Sequence, residues 1–226
     1  MARRDKKLIV AIDGPAGSGK STISKLVAKK LKLLYLDTGA MYRALTLKAM
    51  RLGLDLENEK ALVKMARSSD VRLQADKRLS KVRVYLDRQD VTREIRTPEL
   101  TDKIKYIAKV PGVRACMVTA QRAIAAKGGA VLEGRDTTTV VCPGARYKFY
   151  LDADLKERAK RRCRELRSLG MRVPLKDVEK DARTRDISDF TRSVGALKRS
   201  KDARYINTTK MTVDEVVGTI LAAIEG

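Results

Sequence analysis

The residues best suited to chemistry form a short glycine-rich loop near the start of the sequence. Gly14, Gly19, Lys20 and Ser21 fit the pattern G-x-x-x-x-G-K-[ST]. In this pattern small residues let backbone N–H groups close around phosphate oxygens, the lysine reaches the β- and γ-phosphates, and the last hydroxyl ligates Mg²⁺. The sequence therefore predicts a site for a nucleoside triphosphate, and we expect ATP. Its contacts should come from Gly14, Pro15, Ala16, Gly17, Ser18, Gly19, Lys20, Ser21 and Thr22.

Two further stretches could hold a second anion. In DTGAMYR, residues 37–43, Thr38 is a candidate helix cap and Arg43 a cation directed toward the cleft. In EGRD, residues 133–136, Arg135 offers a phosphate grip and Asp136 a hydrogen-bond acceptor, at the carboxyl end of a predicted strand. Taken singly, each of these residues is as readily explained by a surface ion pair.

Arginines also mark two helices in the second half of the chain. In the predicted helix 155–169, Arg158 and Arg162 lie four residues apart and could swing over a phosphate. Farther on, three residues at positions i, i+4 and i+7 form one stripe of a second helix, for which an internal salt-bridge ladder is the alternative. The stretch 168–181 between the helices is predicted to be the loop of a mobile lid. The charged stripe is Arg185, Asp189 and Arg192, and the apolar stripe beside it is Ile187, Phe190 and Val194.

The elements that must position these side chains alternate along the chain. Apolar runs predict strands at 8–12, 33–36, 130–132, 147–151 and 204–206, with helices between them. Strands that alternate with helices favour a parallel sheet, here a three-layer α/β core of the P-loop NTPase type. Between residues 71 and 92 the pattern changes to period two, which predicts a small antiparallel insertion. We expect a single domain, 1–226, with an acceptor-binding insertion at about 70–105 and a helical lid at about 156–185.

Composition narrows the possible partners. Lys and Arg number 50 against 28 Asp and Glu, a net charge of +22, which favours an anionic partner. No apolar run approaches the roughly 20 residues that span a bilayer, so no membrane partner is expected. The odd set of three cysteines predicts reduced thiols in a cytoplasmic protein. Histidine is absent, which excludes imidazole acid/base chemistry.

The motifs, in their order along the chain, resemble those of the cytidylate kinase family. The likeness rests on GPAGSGKST, LDTGAMYR, DVTREIRTPEL, PGVR, GRD followed by TVV, RAKRR, RDISDFTR and YINTT. It implies an enzyme that uses ATP and Mg²⁺ to phosphorylate CMP or dCMP, with Lys20 and Arg135 catalytic. It further implies that Arg158 and Arg162 are catalytic lid arginines. Of the acceptor nucleotide, the phosphate would be held by Arg43 and Arg135, and the ribose by Arg185 and Asp189. The residues that would face the cytosine are Thr38, Arg114, Asp136 and Arg192.

The sequence departs from that family at a few places. Thr137 and Thr138 stand where the family usually has Ile and Gly, which predicts a stiffer or shifted loop after Asp136. Lys105 stands where a serine is common near the sugar, which leaves the choice between CMP and dCMP open. Asp87-Arg88 replaces the usual Asn-Gly hairpin turn.

Two other functions are consistent with the phosphate loop. A kinase of the same architecture could act on UMP or AMP, because base choice depends on few side chains. A nucleic-acid-stimulated ATPase would suit the positive charge, but single-strand binders interleave basic residues with aromatic ones, and this chain has only seven Tyr, two Phe and no Trp. We therefore expect a monomer with a small-molecule acceptor and no specific nucleic-acid partner.

Overall fold

Five parallel strands form the central sheet of the chain. In this computed structural model, which describes residues 8–76, 81–168 and 170–226, the strand order is β2-β6-β1-β7-β8. Every neighbouring pair in the sheet is parallel, which confirms the predicted α/β architecture. The strands are β1 (Ile9–Asp13), β2 (Leu34–Asp37), β6 (Ala130–Gly134), β7 (Tyr147–Asp152) and β8 (Arg204–Asn207).

Helices cover both faces of this sheet. The central strands are buried on both sides, as the unbroken apolar run of β1 requires: Val10, Ala11 and Ile12 are inaccessible to solvent. One apolar core lies between the sheet and a layer containing α2 and α5, and a second lies between the sheet and α1 with α8. The helices are α1 (Lys20–Leu31), α2 (Thr38–Arg51), α3 (Glu59–Arg67), α4 (Pro98–Ala108), α5 (Pro111–Ala126), α6 (Leu155–Ser168), α7 (Leu175–Thr191) and α8 (Val213–Glu225).

The predicted period-two segment forms a small antiparallel sheet. Its strands are β3 (Val71–Asp76), β4 (Lys81–Leu86) and β5 (Gln89–Asp90). Val84 and Leu86 face the core while Arg83 is exposed, as the alternation predicts. Asp87 and Arg88 both have positive φ, 48° and 71°, as the two central residues of a type I′ turn must. The hairpin therefore forms without Asn-Gly.

The strand register brings the carboxyl ends of the strands to one edge of the sheet. Asp13, the last residue of β1, lies beside Gly134 of β6 and Tyr150 of β7. The loops that follow β1, β2, β6 and β7 therefore meet at this edge, where open α/β sheets bind ligands.

Some local predictions are wrong or fall outside the described residues. Asp37, and not Thr38, caps α2, because its carboxylate accepts a hydrogen bond from the N–H of Ala40 at 2.9 Å. Helix α7 begins at Leu175, so half of the stretch predicted as a lid loop is helical, and Arg192 lies just after the helix ends. Residues 1–7, four residues of the insertion (77–80) and residue 169 of the lid loop are not among those described.

The predicted apolar stripe is not buried, and its last residue, Val194, lies beyond the end of α7 at Thr191. Ile187, Phe190 and Val194 are 59%, 48% and 40% exposed. No helix in the described part of the chain is long and apolar enough to cross a membrane.

Candidate active site

The glycine-rich loop runs from β1 to α1 at the ligand-binding edge. A Cβ atom on Gly14 would lie 1.9 Å from the carbonyl oxygen of Leu151, so only glycine fits against β7 there. Lys20 Nζ donates to the carbonyl of Pro15 at 2.6 Å and to Ser18 Oγ at 3.3 Å. Burial, and then the charge of Arg135, lower the pKa of Lys20 to about 7. The lysine thus lies folded onto its own loop beside a second cation.

A buried carboxylate that sequence reasoning missed lies next to the lysine. Glu133, in β6, is 4% exposed and accepts a hydrogen bond from Tyr35 Oη at 2.5 Å. Burial, and then the charge of Asp37, raise the pKa of Glu133, while Tyr35, Lys20 and Ser21 oppose that shift. The second oxygen of Glu133, Oε2, is buried without a hydrogen-bond partner among the described residues. Glu133 is the first residue of the EGRD motif, in which the sequence prediction assigned roles only to Arg135 and Asp136.

A second missed carboxylate is Asp13, at the end of β1. It is inaccessible to solvent and accepts hydrogen bonds from Thr137 and Thr138, the two residues that depart from the family pattern. Those residues begin a π-helical turn, Thr137–Val141, so their side chains order the loop after Asp136.

Arg114 of α5 and Asp136, which follows β6, form a buried ion pair. Their side chains are 3% and 6% exposed, and Arg114 also donates to the carbonyl of Ala108 at 3.1 Å. The ring of Tyr42 lies under the guanidinium at 5.4 Å. Gly195 covers Arg114: a Cβ there would lie 2.0 Å from the guanidinium. Burial raises the pKa of Asp136, and the charge and the hydrogen bond of Arg114 oppose this shift.

Three more predicted residues form a charged cluster beside that pair. Asp189 accepts from Arg135 Nε at 2.6 Å and from Arg192 at 2.8 Å. Burial favours the neutral acid, but the charges of the two arginines outweigh it and lower the pKa of Asp189. An internal salt-bridge ladder was the alternative for the charged stripe that contains these residues, and Asp189 and Arg192 do form such a salt bridge.

Arg43 lies near this cluster without a hydrogen bond or an ion pair in the described part of the chain. Burial lowers the pKa of Arg43; Asp37 opposes this shift, and the charges of Arg96 and Arg135 add to it. Arg96 belongs to a 3₁₀ turn, Glu94–Arg96, in the EIRT motif, and sequence reasoning assigned it no role. Three cations therefore share one region of the cleft.

Three further residues contact other residues of the chain: Arg185 and Lys105, expected near the sugar, and Thr38, expected near the cytosine. Arg185 donates to Asp102 of α4 at 3.0 Å, and Asp102 was not predicted. Lys105 lies over the ring of its neighbour Tyr106 at 5.2 Å. Thr38 Oγ1 donates to the carbonyl of Glu133 at 2.7 Å, which ties α2 to β6.

Helix α6 contacts the phosphate loop through arginines. Arg158 donates to the carbonyl of Ala16 at 3.1 Å and forms a two-pronged ion pair with Asp186 of α7 at 3.1 and 2.6 Å. Arg161, which was missed because its motif RAKRR offers several arginines, donates to the carbonyl of Thr208 at 2.6 Å. Arg162 pairs with Glu165 of its own helix at 2.8 Å.

Together, the glycine-rich loop between β1 and α1, the parallel sheet order and the arginines near the same edge of the sheet define a class, the P-loop kinases. Within it, the family model described as "Cytidylate kinase" matches residues 10–226, so the chain belongs to the cytidylate kinase family. It is 48% identical over 216 residues to the cytidylate kinase of Desulforamulus reducens, covering 96% of each chain. It is 42% identical over 217 residues to that of Clostridioides difficile, covering 96% of this chain and 98% of the relative.

A solved structure supports the fold. An uncharacterized protein from Eubacterium ventriosum aligns with a TM-score of 0.53 at 13% identity, covering 97% of this chain and 99% of the other.

Proposed function

We propose that this protein transfers the γ-phosphoryl group of ATP to CMP, and to dCMP, forming ADP and the corresponding diphosphate. Membership of the cytidylate kinase family supports this assignment and does not favour the alternative UMP or AMP kinase. The observation that carries it is the position of Arg135 directly after β6, where its Nε donates to Asp189 at 2.6 Å. Its charge adds to the burial that lowers the pKa of both Lys20, on the proposed donor side, and Arg43, on the proposed acceptor side. Cations that lie close enough to lower one another's pKa suit a site where the phosphates of the donor and of the acceptor are brought close together.

Phosphoryl transfer demands positioning and charge stabilisation more than covalent chemistry from the protein. An oxygen of the acceptor phosphate attacks the γ-phosphorus, and the bond to the β–γ bridging oxygen breaks. A phosphate monoester has a second pKa of about 6, so the attacking oxygen is already ionised near neutrality. No general base is needed, which is consistent with a chain that lacks histidine. Lys20, Arg43 and Arg135 would offset the repulsion between donor and acceptor.

The residues around Ser21 fit a magnesium ion bound with ATP. Glu133 Oε2 is buried without a hydrogen-bond partner among the described residues, and Ser21 lies close enough to lower the pKa of Glu133. A hydroxyl and a carboxylate oxygen are ligands that Mg²⁺ prefers, directly or through water. When bound, the ion would neutralise charge on the donor phosphates.

The buried pair of Arg114 and Asp136 suits cytosine. The exocyclic amine of cytosine donates hydrogen bonds, which a carboxylate accepts, whereas uracil presents an acceptor at the same position. An arginine beside that carboxylate supplies donors for the ring nitrogen and the carbonyl of cytosine. Asp189 and Arg185 would then hold the sugar, with Thr38 and Arg192 lining the base pocket.

Helices α6 and α7 are the proposed lid. Arg158 contacts the phosphate loop and Asp186 of α7, so movement of either helix would reach the loop. Closure would bring Arg162 away from Glu165 and over the phosphates, exclude water and suppress ATP hydrolysis. We further propose that the protein acts in the cytoplasm as a monomer, without a nucleic-acid or membrane partner.

The test is an ADP-release assay with ATP and Mg²⁺ and each common ribo- and deoxyribonucleoside monophosphate in turn. We expect rapid release with CMP and dCMP, and little with other acceptors or with none. Lys20→Ala serves as the inactive control. Faster turnover of UMP or AMP would overturn the substrate assignment, and ADP release independent of any acceptor would overturn the kinase assignment.

A further inference from the structure

Asp13 joins two loops that are distant in sequence. Its Oδ1 accepts from the N–H of Thr137 at 2.9 Å and from Thr137 Oγ1 at 2.7 Å. Its Oδ2 accepts from the N–H and from Oγ1 of Thr138, both at 2.7 Å. All three residues are buried, with no more than 1% of their surface exposed. Thr137 therefore donates one backbone and one side-chain hydrogen bond to Oδ1, and Thr138 donates the same pair to Oδ2.

The two ends of this contact lie next to the two proposed nucleotide sites. Asp13 directly precedes Gly14, the first glycine of the phosphate loop, which is pressed against the carbonyl of Leu151. Thr137 directly follows Asp136, the partner of Arg114 in the acceptor pocket. The carboxylate is thus a direct link between the donor loop and the acceptor loop.

The threonines are held firmly from their other side as well. The N–H of Cys142 donates to the carbonyl of Thr137 at 2.8 Å, which closes the π-helical turn. Arg122 of α5 donates to the carbonyls of Val140 and Val141 at 2.7 and 3.0 Å. A displacement of Asp13 relative to this turn would therefore not be absorbed by a loose loop.

We propose that the hydroxyl groups of Thr137 and Thr138 are positioning groups, which hold the phosphate loop and the acceptor loop at a fixed separation by completing the hydrogen bonding of Asp13. The role rests on the proposed phosphoryl transfer, in which donor and acceptor must meet in line. A buried carboxylate deprived of two of its four donors is poorly compensated and shifts toward other donors. Each nucleotide keeps its own contacts, so the defect should appear in kcat more than in either KM.

The kinetic test uses threonine-to-valine changes, which keep the side-chain shape and remove only the hydroxyl. In the double variant Thr137→Val/Thr138→Val we expect kcat to fall about 10- to 100-fold, since small misplacements of reacting groups cost on this scale. The KM values for ATP and CMP should stay within about threefold of the parent. Thr137→Ser/Thr138→Ser, which retains both hydroxyls, should restore most of kcat. Thr139→Val is the matched control, because the Thr139 hydroxyl makes no hydrogen bond to Asp13 in the described structure.

A second measurement tests the link without any turnover. Amide hydrogen exchange of peptides covering residues 13–22 should be faster in the double valine variant than in the parent or in Thr139→Val. If the parent fails to phosphorylate CMP, the proposed function fails while exchange still tests the link. If the double variant does not fold, the two single valine variants replace it.

The proposal is overturned if the double valine variant matches Thr139→Val in kcat and in exchange. It is equally overturned if only the melting temperature falls while kcat at lower temperature is unchanged, which would indicate a purely structural role. Failure of the double serine variant to recover kcat would also overturn it, since the hydroxyls would then not be the active feature.

Discussion

Arg135 Nε donates to Asp189 Oδ2 at 2.6 Å, which joins the loop after β6 to α7. The family likeness assigns these residues to different parts of one substrate, the phosphate and the ribose. The two side chains form an ion pair, and Arg192 pairs with the same carboxylate. Asp189 therefore supplies the counter-charge for two arginines at once.

Replacing Asp189 by Asn should lower the free energy of unfolding. Two arginines would lose their counter-charge in a largely buried site, for which we expect a cost of about 2 kcal/mol, or a melting temperature lower by about 4–8 °C. Sulfate, a dianion, should recover more of the melting temperature in the variant than in the parent. Thermal unfolding with and without sulfate measures both effects. Glu165→Gln, which affects an exposed pair with Arg162, is the control, and an equal loss in that variant would contradict the prediction.

Lys20 should take up a proton when ATP binds. Its pKa of about 7 in the free chain means that most copies are neutral at pH 8 and charged at pH 6. A polyanion favours the charged form and raises the pKa. We therefore expect this lysine to take up a larger fraction of a proton per ATP at pH 8 than at pH 6.

Calorimetric titrations in buffers of different ionisation enthalpy give the number of protons taken up. Lys20→Arg keeps the positive charge but does not titrate, so it should lack the pH-dependent component. The same proton number in parent and variant at pH 8 would contradict the assignment to Lys20.

Asp102 would compete with the substrate for Arg185 if Arg185 holds the ribose as proposed. The pair is 3.0 Å long and its carboxylate is 70% exposed, so it should be worth about 0.2–1 kcal/mol. If Arg185 must leave Asp102 to reach the ribose, Asp102→Ala should lower the KM for CMP by at most about fivefold. Steady-state kinetics with CMP and dCMP check this, with Glu99→Ala on the same helix as control. A raised KM would instead make Asp102 itself a substrate contact.

The parts of the fold that the sequence predicts are those with strong local signals. The apolar run before Gly14 and the G-x-x-x-x-G-K-[ST] spacing act within one strand, loop and helix, so the phosphate loop could be identified without tertiary information. The alternation around Val84 likewise predicted the small sheet. In contrast, Asp37 and Thr38 are both good helix caps, and only the backbone geometry at Asp37 decides between them.

The parts of the site that the sequence could not supply depend on long-range contacts. Thr137 lies 124 residues from Asp13, and nothing local marks either as the other's partner. Arg161 and Arg162 are adjacent arginines on one helix, and their different partners follow from where α6 lies relative to Thr208. Phe190, on the predicted apolar stripe, is 48% exposed, and whether such a stripe packs against another element depends on contacts that the sequence does not show.

Asp136 should determine the choice between cytosine and uracil. Asp136→Asn replaces an acceptor oxygen by an amide that can donate to uracil, so the ratio of kcat/KM for CMP over UMP should fall by about 10- to 100-fold. The loss of charge also leaves Arg114 unpaired in a buried site, and the melting temperature should fall. Asp70→Asn, at an exposed pair with Arg72, is the control. An unchanged CMP-to-UMP ratio would remove Asp136 from the base pocket.

Arg162 and Arg164 offer a matched test of the lid. Both are arginines of α6 paired with a glutamate of the same helix, Glu165 and Glu157. If Arg162 moves over the phosphates when the lid closes, Arg162→Ala should lower kcat about 10²- to 10³-fold, the scale of losing one charge-stabilising donor. Arg164→Ala should leave kcat within about twofold, and neither change should alter the melting temperature by more than about 2 °C, because exposed ion pairs contribute little. Single-turnover kinetics with saturating ATP and CMP separate this effect on the chemical step from product release. Equal, small effects in the two variants would show that Arg162 stays on the helix surface and that Arg158 or Arg161 alone serves the phosphates.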